Sequence, residues 1–74
     1  MAEVTIQGKW VYVSNAKLMH ATSKAMLVEI DGDEPIWVPL SQINLDESDV
    51  RSEDDLGVLC MSLWIAKQKN LVED

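Results

Sequence analysis

The side chains that could support nucleophilic catalysis are one cysteine and one histidine. Cys60 is the only cysteine and His20 the only histidine among the 74 residues. A reactive cysteine needs an electropositive, partly exposed setting, whereas Cys60 lies in the apolar string 58–61 and is predicted to be buried and structural. His20 is predicted to be a strand residue that faces solvent. The sequence therefore predicts no catalytic residue, and we do not expect an enzyme.

Metal and cofactor sites also lack their usual residues. Zinc sites use several cysteine and histidine ligands, and this chain has one of each. The carboxylate runs at residues 31–34 and 46–49 do not match the spacing or the terminal glutamate of an EF-hand calcium loop. The glycines are isolated and cannot form a phosphate-binding loop. We therefore expect no metal and no cofactor, and we interpret both runs as solvated.

Charge is the strongest signal in the composition. The formal net charge is −7 at pH 7, and between positions 29 and 55 the only basic residue is Arg51. Nucleic acids and anionic membranes bind basic surfaces, so direct binding to either is disfavoured. A partner protein with a basic surface fits this charge distribution. The residues predicted to contact such a partner are Asp31, Asp33, Glu34, Trp37, Asp46, Glu47, Asp49, Glu53, Asp54 and Asp55.

The tryptophans are the second informative group. In so short a chain they are either core residues or interface anchors, because tryptophan is enriched in binding hot spots. Trp64 follows a predicted helix cap and is assigned to the core. Trp37 lies between Ile36 and Val38, which share the opposite face of a strand. If those two side chains point inward, Trp37 is a contact residue. A core position for Trp37 is the alternative.

The length predicts a single domain, residues 1–74, with a small core. A chain of this size buries only about 60% of its unfolded surface. An internal disulfide is ruled out, so oligomerisation or docking on a partner is the remaining reinforcement. A homodimer that hides Trp37 would meet this need. No segment approaches the length of a membrane span, and residues 1–5 lack signal-peptide features, so a cytoplasmic location is expected.

β-branched and aromatic residues predict an antiparallel sheet along most of the chain. In the predicted hairpin around residues 22–24, Met26, Val28 and Ile30 share one face. Pro35 and Pro39 flank the short strand predicted at 36–38, which places that strand at an edge or a corner of the sheet. The predicted elements, in order, are strands at 4–6, 10–13, 17–21 and 25–31, a turn at 31–33, a strand at 36–38, a helical turn at 41–43 and an acidic, solvated loop at 46–55.

The last third of the chain allows two interpretations. In one, a single capped helix covers residues 52–69. In the other, residues 57–61 form a strand, Ser62 caps a short helix, and Asn70 ends that helix in the left-handed conformation. The second interpretation is favoured, because Gly57 would cost a helix interior about 1 kcal/mol.

The string Trp37-Val38-Pro39-Leu40-Ser41-Gln42-Ile43, with residues 24–32 before it and Trp64-Ile65-Ala66-Lys67 with Leu71 after it, resembles a small domain common among uncharacterised bacteriophage and prophage proteins. Leu40, Ser62 and Asn70 stand where that pattern has a basic residue, a proline and a glycine. The order of strand, Trp-Val-Pro and short turn is also similar to the end of an SH3-type barrel. The resemblance implies a phage or mobile-element origin. We therefore predict a mainly β chain with a five- to six-stranded antiparallel, barrel-like sheet and a short C-terminal helix.

Three functions follow as hypotheses from these observations. The first is a phage-type inhibitor, anti-CRISPR-like or otherwise anti-defence, whose acidic face binds a host protein and takes the place of nucleic acid phosphates. The second is an accessory module of phage replication or recombination that contacts single-stranded DNA or its binding proteins. In that case Lys9, Lys17 and Lys24 would contact phosphates and Trp10 and Tyr12 would stack on bases. In the third, the acidic surface serves only solubility.

Overall fold

A computed structural model describes residues 3–72, and in it strands dominate the chain. The strands are β1 (Val4–Gln7), β2 (Trp10–Ala21), β3 (Ala25–Ile30), β4 (Ile36–Pro39) and β5 (Leu56–Ser62), followed by one helix, α1 (Leu63–Gln68). Two single 3₁₀ turns, Leu40–Gln42 and Leu45–Glu47, lie between β4 and β5. The mainly β composition, the antiparallel sheet and the C-terminal helix are therefore confirmed.

The longest strand, β2, holds the sheet together because the other strands pair with it or with its neighbours. One edge of β2 pairs first with β1 and then with β3, while the opposite edge pairs with β5, and all three pairings are antiparallel. β4 adds to the far side of β3. The sheet does not close into a barrel, so the barrel-like arrangement expected from the sequence is replaced by an open sheet of five strands.

β2 has two partners on one edge, and its register is interrupted at the point where one partner gives way to the other. A shift between Val13 and Ala16 separates the two halves of its pairing with β5. Asn15 lies at this interruption with a φ of 58°, a left-handed conformation that asparagine tolerates better than most residues. Its side chain donates a hydrogen bond to Asp31 Oδ1 at 2.9 Å, and its carbonyl accepts one from the Asp31 N–H at 3.1 Å. The end of β3 is thereby attached to the bend in β2.

The hydrophobic core lies on one face of this sheet. Register partners such as Leu18 and Val28, or Val13 and Leu59, have side chains on the same face, and all four are fully buried. The helix adds Ile65 and Ala66 to them. The buried apolar side chains that form the core are Val11, Val13, Ala16, Leu18, Met26, Val28, Ile30, Val38, Ile43, Val50, Leu59, Met61, Ile65 and Ala66.

The end of the chain follows the favoured interpretation of strand, cap and short helix. Ser62 Oγ accepts a hydrogen bond from the Ile65 N–H at 3.2 Å and donates one to Gln42 Oε1 at 2.6 Å. Asn70, with a φ of 60°, follows the helix in the left-handed conformation. The assignment of Trp64 to the core is wrong, because its side chain is 60% exposed. Consecutive helical residues are about 100° apart, and here the two residues after Trp64 face the core.

The predicted acidic loop at 46–55 is only partly solvated. Val50 is fully buried and Ser48 is 2% exposed, so two positions of this segment belong to the interior. Ser48 Oγ accepts a hydrogen bond from the Cys60 N–H at 2.9 Å and donates one to the Asn44 carbonyl at 2.8 Å. A short polar side chain thus attaches the segment to β5 and satisfies a buried backbone donor.

We predict that Ser48→Ala destabilises the fold by about 1–3 kcal/mol, because the Cys60 N–H would remain buried without an acceptor. Urea denaturation monitored by circular dichroism measures the change in unfolding free energy. Ser41→Ala is the matched control, since Ser41 is exposed and its removal should change the stability by less than about 0.5 kcal/mol. Equal effects of the two substitutions would contradict the role assigned to Ser48.

Candidate protein-binding face

The predicted partner-binding acids fall into two groups in the structure. One group, the acidic turn, occupies the connection between β3 and β4 and consists of Asp31, Asp33 and Glu34. The other, the acidic connection, is residues 46–55 between β4 and β5. Its members are Asp46, Glu47, Asp49, Glu53, Asp54 and Asp55, all of them exposed except the half-buried Asp55. The predicted carboxylates thus face solvent, at two separate places in the chain's path.

The acidic connection is held against the sheet by backbone hydrogen bonds at Asp49, Asp54 and Asp55. It first follows the outer edge of β5, where the Asp49 N–H donates to the Val58 carbonyl at 2.8 Å. It then crosses to β2, where the Asp54 N–H donates to the Leu18 carbonyl at 2.8 Å and the Leu18 N–H donates to the Asp55 carbonyl at 3.0 Å. The carboxylates therefore have a defined placement, which a freely solvated loop would not provide.

A row of side chains on the outer face of the sheet connects this segment to Trp37. His20 pairs with Leu27, and Leu27 pairs with Trp37, across β2, β3 and β4. The rings of His20 and Trp37 meet edge to face, with centroids 6.4 Å apart and an interplanar angle of 84°. His20 Nδ1 lies 3.1 Å from Glu53 Oε1. Glu53, His20 and Trp37 form one contiguous group, which we call the Trp37 row.

Trp37 lies on the solvent side of β4, as expected for a contact residue. Val38, next to it, is fully buried, whereas the Trp37 side chain is 45% exposed. The sequence allowed Trp37 either a core or a surface position, and in the structure Trp37 is at the surface. An indole of this size at the surface beside carboxylates is the composition typical of an interface anchor.

His20 belongs to the Trp37 row although the sequence predicted only a solvent-facing strand residue. It is exposed, as expected, but its neighbours depend on a register shift between Leu18 and His20. That shift leaves Met19 without a partner and places His20 on the same face as Leu27. Nothing in the local sequence signals such a bulge.

The acidic turn lies farther along the chain from β3 than the Trp37 row does. Leu27, which marks the Trp37 row on β3, precedes Asp31 by four residues, about 13 Å of extended strand. Asp33 and Glu34 instead line a pocket of about 230 Å³ together with Lys69, at the C-terminal end of the helix. The contacts of the Trp37 row join the acidic connection to Trp37 through Glu53 and His20.

The carboxylates of the acidic connection are poorly compensated by the chain's own cations. Within residues 3–72, and leaving Asp31 aside, the contact between an acid and a basic side chain is that of Glu53 with His20, which is an ion pair only when His20 is protonated. Arg51, although it lies inside the connection, donates from Nε to the Ser48 carbonyl at 3.1 Å. Its guanidinium is thereby directed to the backbone. Negative charge at this face is available to a partner.

Burial and backbone hydrogen bonds shift the pKa values of two groups near this face. Burial raises the pKa of the Cys60 thiol above its ordinary value, which opposes formation of a nucleophilic thiolate. Asp55 accepts hydrogen bonds from the N–H groups of Arg51, at 3.1 Å, and Ser52, at 2.9 Å. These two bonds, the Arg51 one first, lower the pKa of the Asp55 carboxyl.

A second surface site, which the sequence did not single out, lies where the β1–β2 turn meets the helix. A shallow, largely apolar depression of about 370 Å³ is lined by Lys9, Ser62, Leu63, Trp64 and Lys67. It brings the most exposed indole of the described residues together with two lysines. A cluster of three or more metal-ligating side chains is absent from residues 3–72. In that same range no helix is long and apolar enough to cross a bilayer.

We predict that Asp55→Asn lowers stability at neutral pH and that this effect disappears in acid. A carboxyl whose pKa is lower in the folded state stabilises the fold above its unfolded pKa of about 4. That contribution is lost as the pH falls through the pKa that the carboxyl has in the folded state. Urea denaturation of both proteins at several pH values between about 2 and 7 measures the difference. Asp46→Asn, at an exposed position of the same connection, controls for net charge. A difference for Asp55→Asn that is independent of pH would refute the assignment.

Comparison with protein-family models, with curated proteins and with solved structures finds no match for this chain. The resemblance to phage domains stays a prediction. The function of the chain is therefore inferred from its own residues and their geometry.

Proposed function

We propose that the chain is a non-enzymatic binding protein that docks the acidic connection and Trp37 on a basic surface of a partner protein. The observation that carries the proposal is the Trp37 row, in which Glu53 and His20 connect an exposed indole to an acidic segment with few internal counter-charges. An aromatic anchor with a charged surround is the usual anatomy of a protein interface.

The two components of this face have different physical roles. Trp37 offers a large apolar surface at little cost in conformational entropy, and such residues contribute about 2 kcal/mol or more when buried at the centre of an interface. The carboxylates steer the approach of a basic partner and raise the association rate, an effect that salt screens. Affinity therefore depends mainly on the indole, and partner selection depends mainly on charge.

The resemblance to phage domains extends this proposal to a biological role. The partner is then a host protein in the bacterial cytoplasm, and the chain acts as a stoichiometric inhibitor. If that protein is a nucleic-acid-binding defence protein, the carboxylates at 46–55 occupy sites that otherwise bind phosphates. This is the mode of action of anti-CRISPR-like DNA mimics. What supports the extension is the resemblance together with the fixed placement of the acidic connection along β5 and β2.

The alternative, an accessory module that contacts single-stranded DNA, is favoured by one observation. Lys9 lines the same depression as Trp64 and Lys67, so an exposed ring for base stacking shares that depression with two phosphate-binding cations. The other two lysines in that hypothesis lie elsewhere. Lys17 pairs in register with Glu29, and Lys24 lies in the β2–β3 turn. In this alternative, Trp64 replaces the aromatic residues expected from the sequence.

We predict that Trp37→Ala abolishes capture of the partner from a bacterial lysate by the immobilised chain, whereas Trp64→Ala does not. The two substitutions remove equivalent rings from exposed positions, so each is the matched control for the other. With the captured protein purified, Trp37→Ala should weaken binding by about thirtyfold. Capture by Trp37→Ala equal to that of the unmodified chain would count against the proposed face.

We also predict that the interaction is sensitive to salt and to the charge of the acidic connection. Raising the salt concentration to about 0.5 M, or combining Asp46→Asn, Glu47→Gln and Asp49→Asn, should slow association with the captured protein. Surface plasmon resonance measures that rate. Glu3→Gln is the control, since Glu3 lies outside the acidic connection. An association rate unchanged by both treatments would exclude the electrostatic mechanism.

The single-strand alternative predicts a different set of results. Fluorescence anisotropy of a labelled deoxythymidine oligonucleotide at low salt should then show binding in the micromolar range. Lys9→Ala, Lys67→Ala and Trp64→Ala should each weaken it, while Trp37→Ala should leave it unchanged. Absence of binding at about 50 mM salt, where phosphate contacts are strongest, would remove this alternative.

A further inference from the structure

The Trp37 row presents an aromatic ring and a carboxylate to solvent on the same face of the sheet. Trp37 is 45% exposed, and the side chains of His20 and Glu53 are each 57% exposed. The two rings meet at 6.4 Å between centroids, and Glu53 Oε1 lies 3.1 Å from His20 Nδ1. A single long side chain can therefore reach the indole and the carboxylate together.

The backbone fixes the positions of these groups before any ligand arrives. His20 and Trp37 are the two register partners of Leu27, one on each side of it. Glu53 directly precedes Asp54, whose N–H donates to a β2 carbonyl at 2.8 Å. Binding then requires little ordering of the chain, and a pre-formed site loses less conformational entropy than a flexible one.

The two ends of the row attract the same kind of ligand. The Trp37 indole attracts a cation to its face through the ring quadrupole, and it also accepts the apolar stem of a long basic side chain. The Glu53 carboxylate accepts charge-assisted hydrogen bonds. An anionic ligand is repelled, and so is a second copy of this chain, whose net charge is −7. Charge complementarity therefore selects a basic side chain of another protein as the occupant.

Arginine fits both ends of the row better than lysine does. The lysine ammonium is a compact, strongly hydrated point charge, so it serves either the carboxylate or the ring. The arginine guanidinium is planar and weakly hydrated, stacks on aromatic faces and carries five N–H donors in its plane. It can donate from its edge to Glu53 while its face and stem lie on the aromatic rings. A ring combined with a carboxylate uses both of these properties.

We propose that the Trp37 row binds one arginine side chain of the partner protein. The guanidinium donates hydrogen bonds to the Glu53 carboxylate, and its planar face and the arginine stem pack on the Trp37 indole. This site rests on the proposed function and deepens it, since it names the residue type that the basic partner presents. Glu53 and Trp37 contact the arginine, whereas His20 is a positioning residue.

His20 orients the carboxylate without cancelling its charge. A neutral imidazole that carries its proton on Nδ1 donates to Glu53 Oε1, and the carboxylate stays anionic. The next pair of residues on this face, Lys17 and Glu29, are register partners of opposite charge and add no net charge. Arg51, inside the acidic connection, is directed to a backbone carbonyl. The charge of Glu53 is therefore open to the partner's arginine.

Titration of the full chain with short peptides, followed by NMR, tests the site with defined probes. Tetra-arginine and tetra-lysine carry the same charge, and tetra-citrulline keeps the shape of tetra-arginine without its charge. We expect tetra-arginine to shift the indole N–H resonance of Trp37 and to bind about fivefold more tightly than tetra-lysine. Tetra-citrulline should not bind. Equal affinities for the arginine and lysine peptides, or an unshifted Trp37 resonance, overturn the proposal.

Matched substitutions identify the residues that bind the arginine peptide. Glu53→Gln and Trp37→Ala should each weaken tetra-arginine binding about fivefold, and Trp37→Ala should also abolish its advantage over tetra-lysine. Trp64→Ala removes an exposed indole elsewhere, and Glu34→Gln removes an exposed carboxylate from the acidic turn, so both should bind as the unmodified chain does. Circular dichroism confirms that each variant is folded. Equal losses in the test and control variants show that only net charge is sensed and overturn the site.

Capture from a lysate separates a failure of this site from a failure of the proposed function. If Trp37→Ala abolishes capture but the chain does not prefer tetra-arginine, the arginine site fails and the proposed binding face stands. If tetra-arginine binds through Trp37 and Glu53 but no protein is captured, the proposed function fails and the arginine site stands.

Discussion

The structure depends on the interruption in β2. The left-handed Asn15 divides this strand of twelve residues into two halves. The first half pairs with β1 and the second half with β3, both along the same edge. The two hydrogen bonds between Asn15 and Asp31 stabilise the bend, because each of these residues adopts a positive φ that costs free energy by itself.

The face assigned to partner binding follows from this arrangement. A second irregularity in β2, between Leu18 and His20, rotates His20 into register with Leu27 and therefore into contact with Trp37. The acidic connection reaches the same row because residues 53–55 lie along β2 ahead of β5. Two local departures from regular strand geometry thus determine which carboxylates meet the indole. The acidic turn is attached instead at Asn15, through Asp31.

Features set by local conformational preference were predictable from the sequence. Ser62 as a helix cap, Asn70 as a helix stop and the turn at Gly32 each depend on the φ and ψ values that one residue type favours. The hairpin around residues 22–24 is confirmed for the same reason. Alternation correctly placed Met26, Val28 and Ile30 on one face, and in the structure that face is the buried one.

Features set by distant contacts were not predictable. A helix of six residues is too short for its periodicity to define a buried face, so the exposure of Trp64 had no signal in the sequence. The sequence predicts that Ser48 lies in a loop. Its burial and its hydrogen bond depend on the position of Cys60. The open sheet in place of a barrel depends on the pairing of strands that are distant in the sequence. The partner expected from the charge distribution stays a prediction.

The order of strand pairing has a consequence for folding and for local stability. β1 to β4 pair as successive hairpins, each between neighbours in the chain, whereas β5 must return to β2 across the whole intervening sequence. Contacts between distant segments form more slowly than local ones, since a longer loop has to close. The carboxylates at 46–55 acquire their fixed positions only when that last strand is in place. A fluctuation that releases β5 would therefore also release the part of the acidic surface that is bonded to it at Asp49.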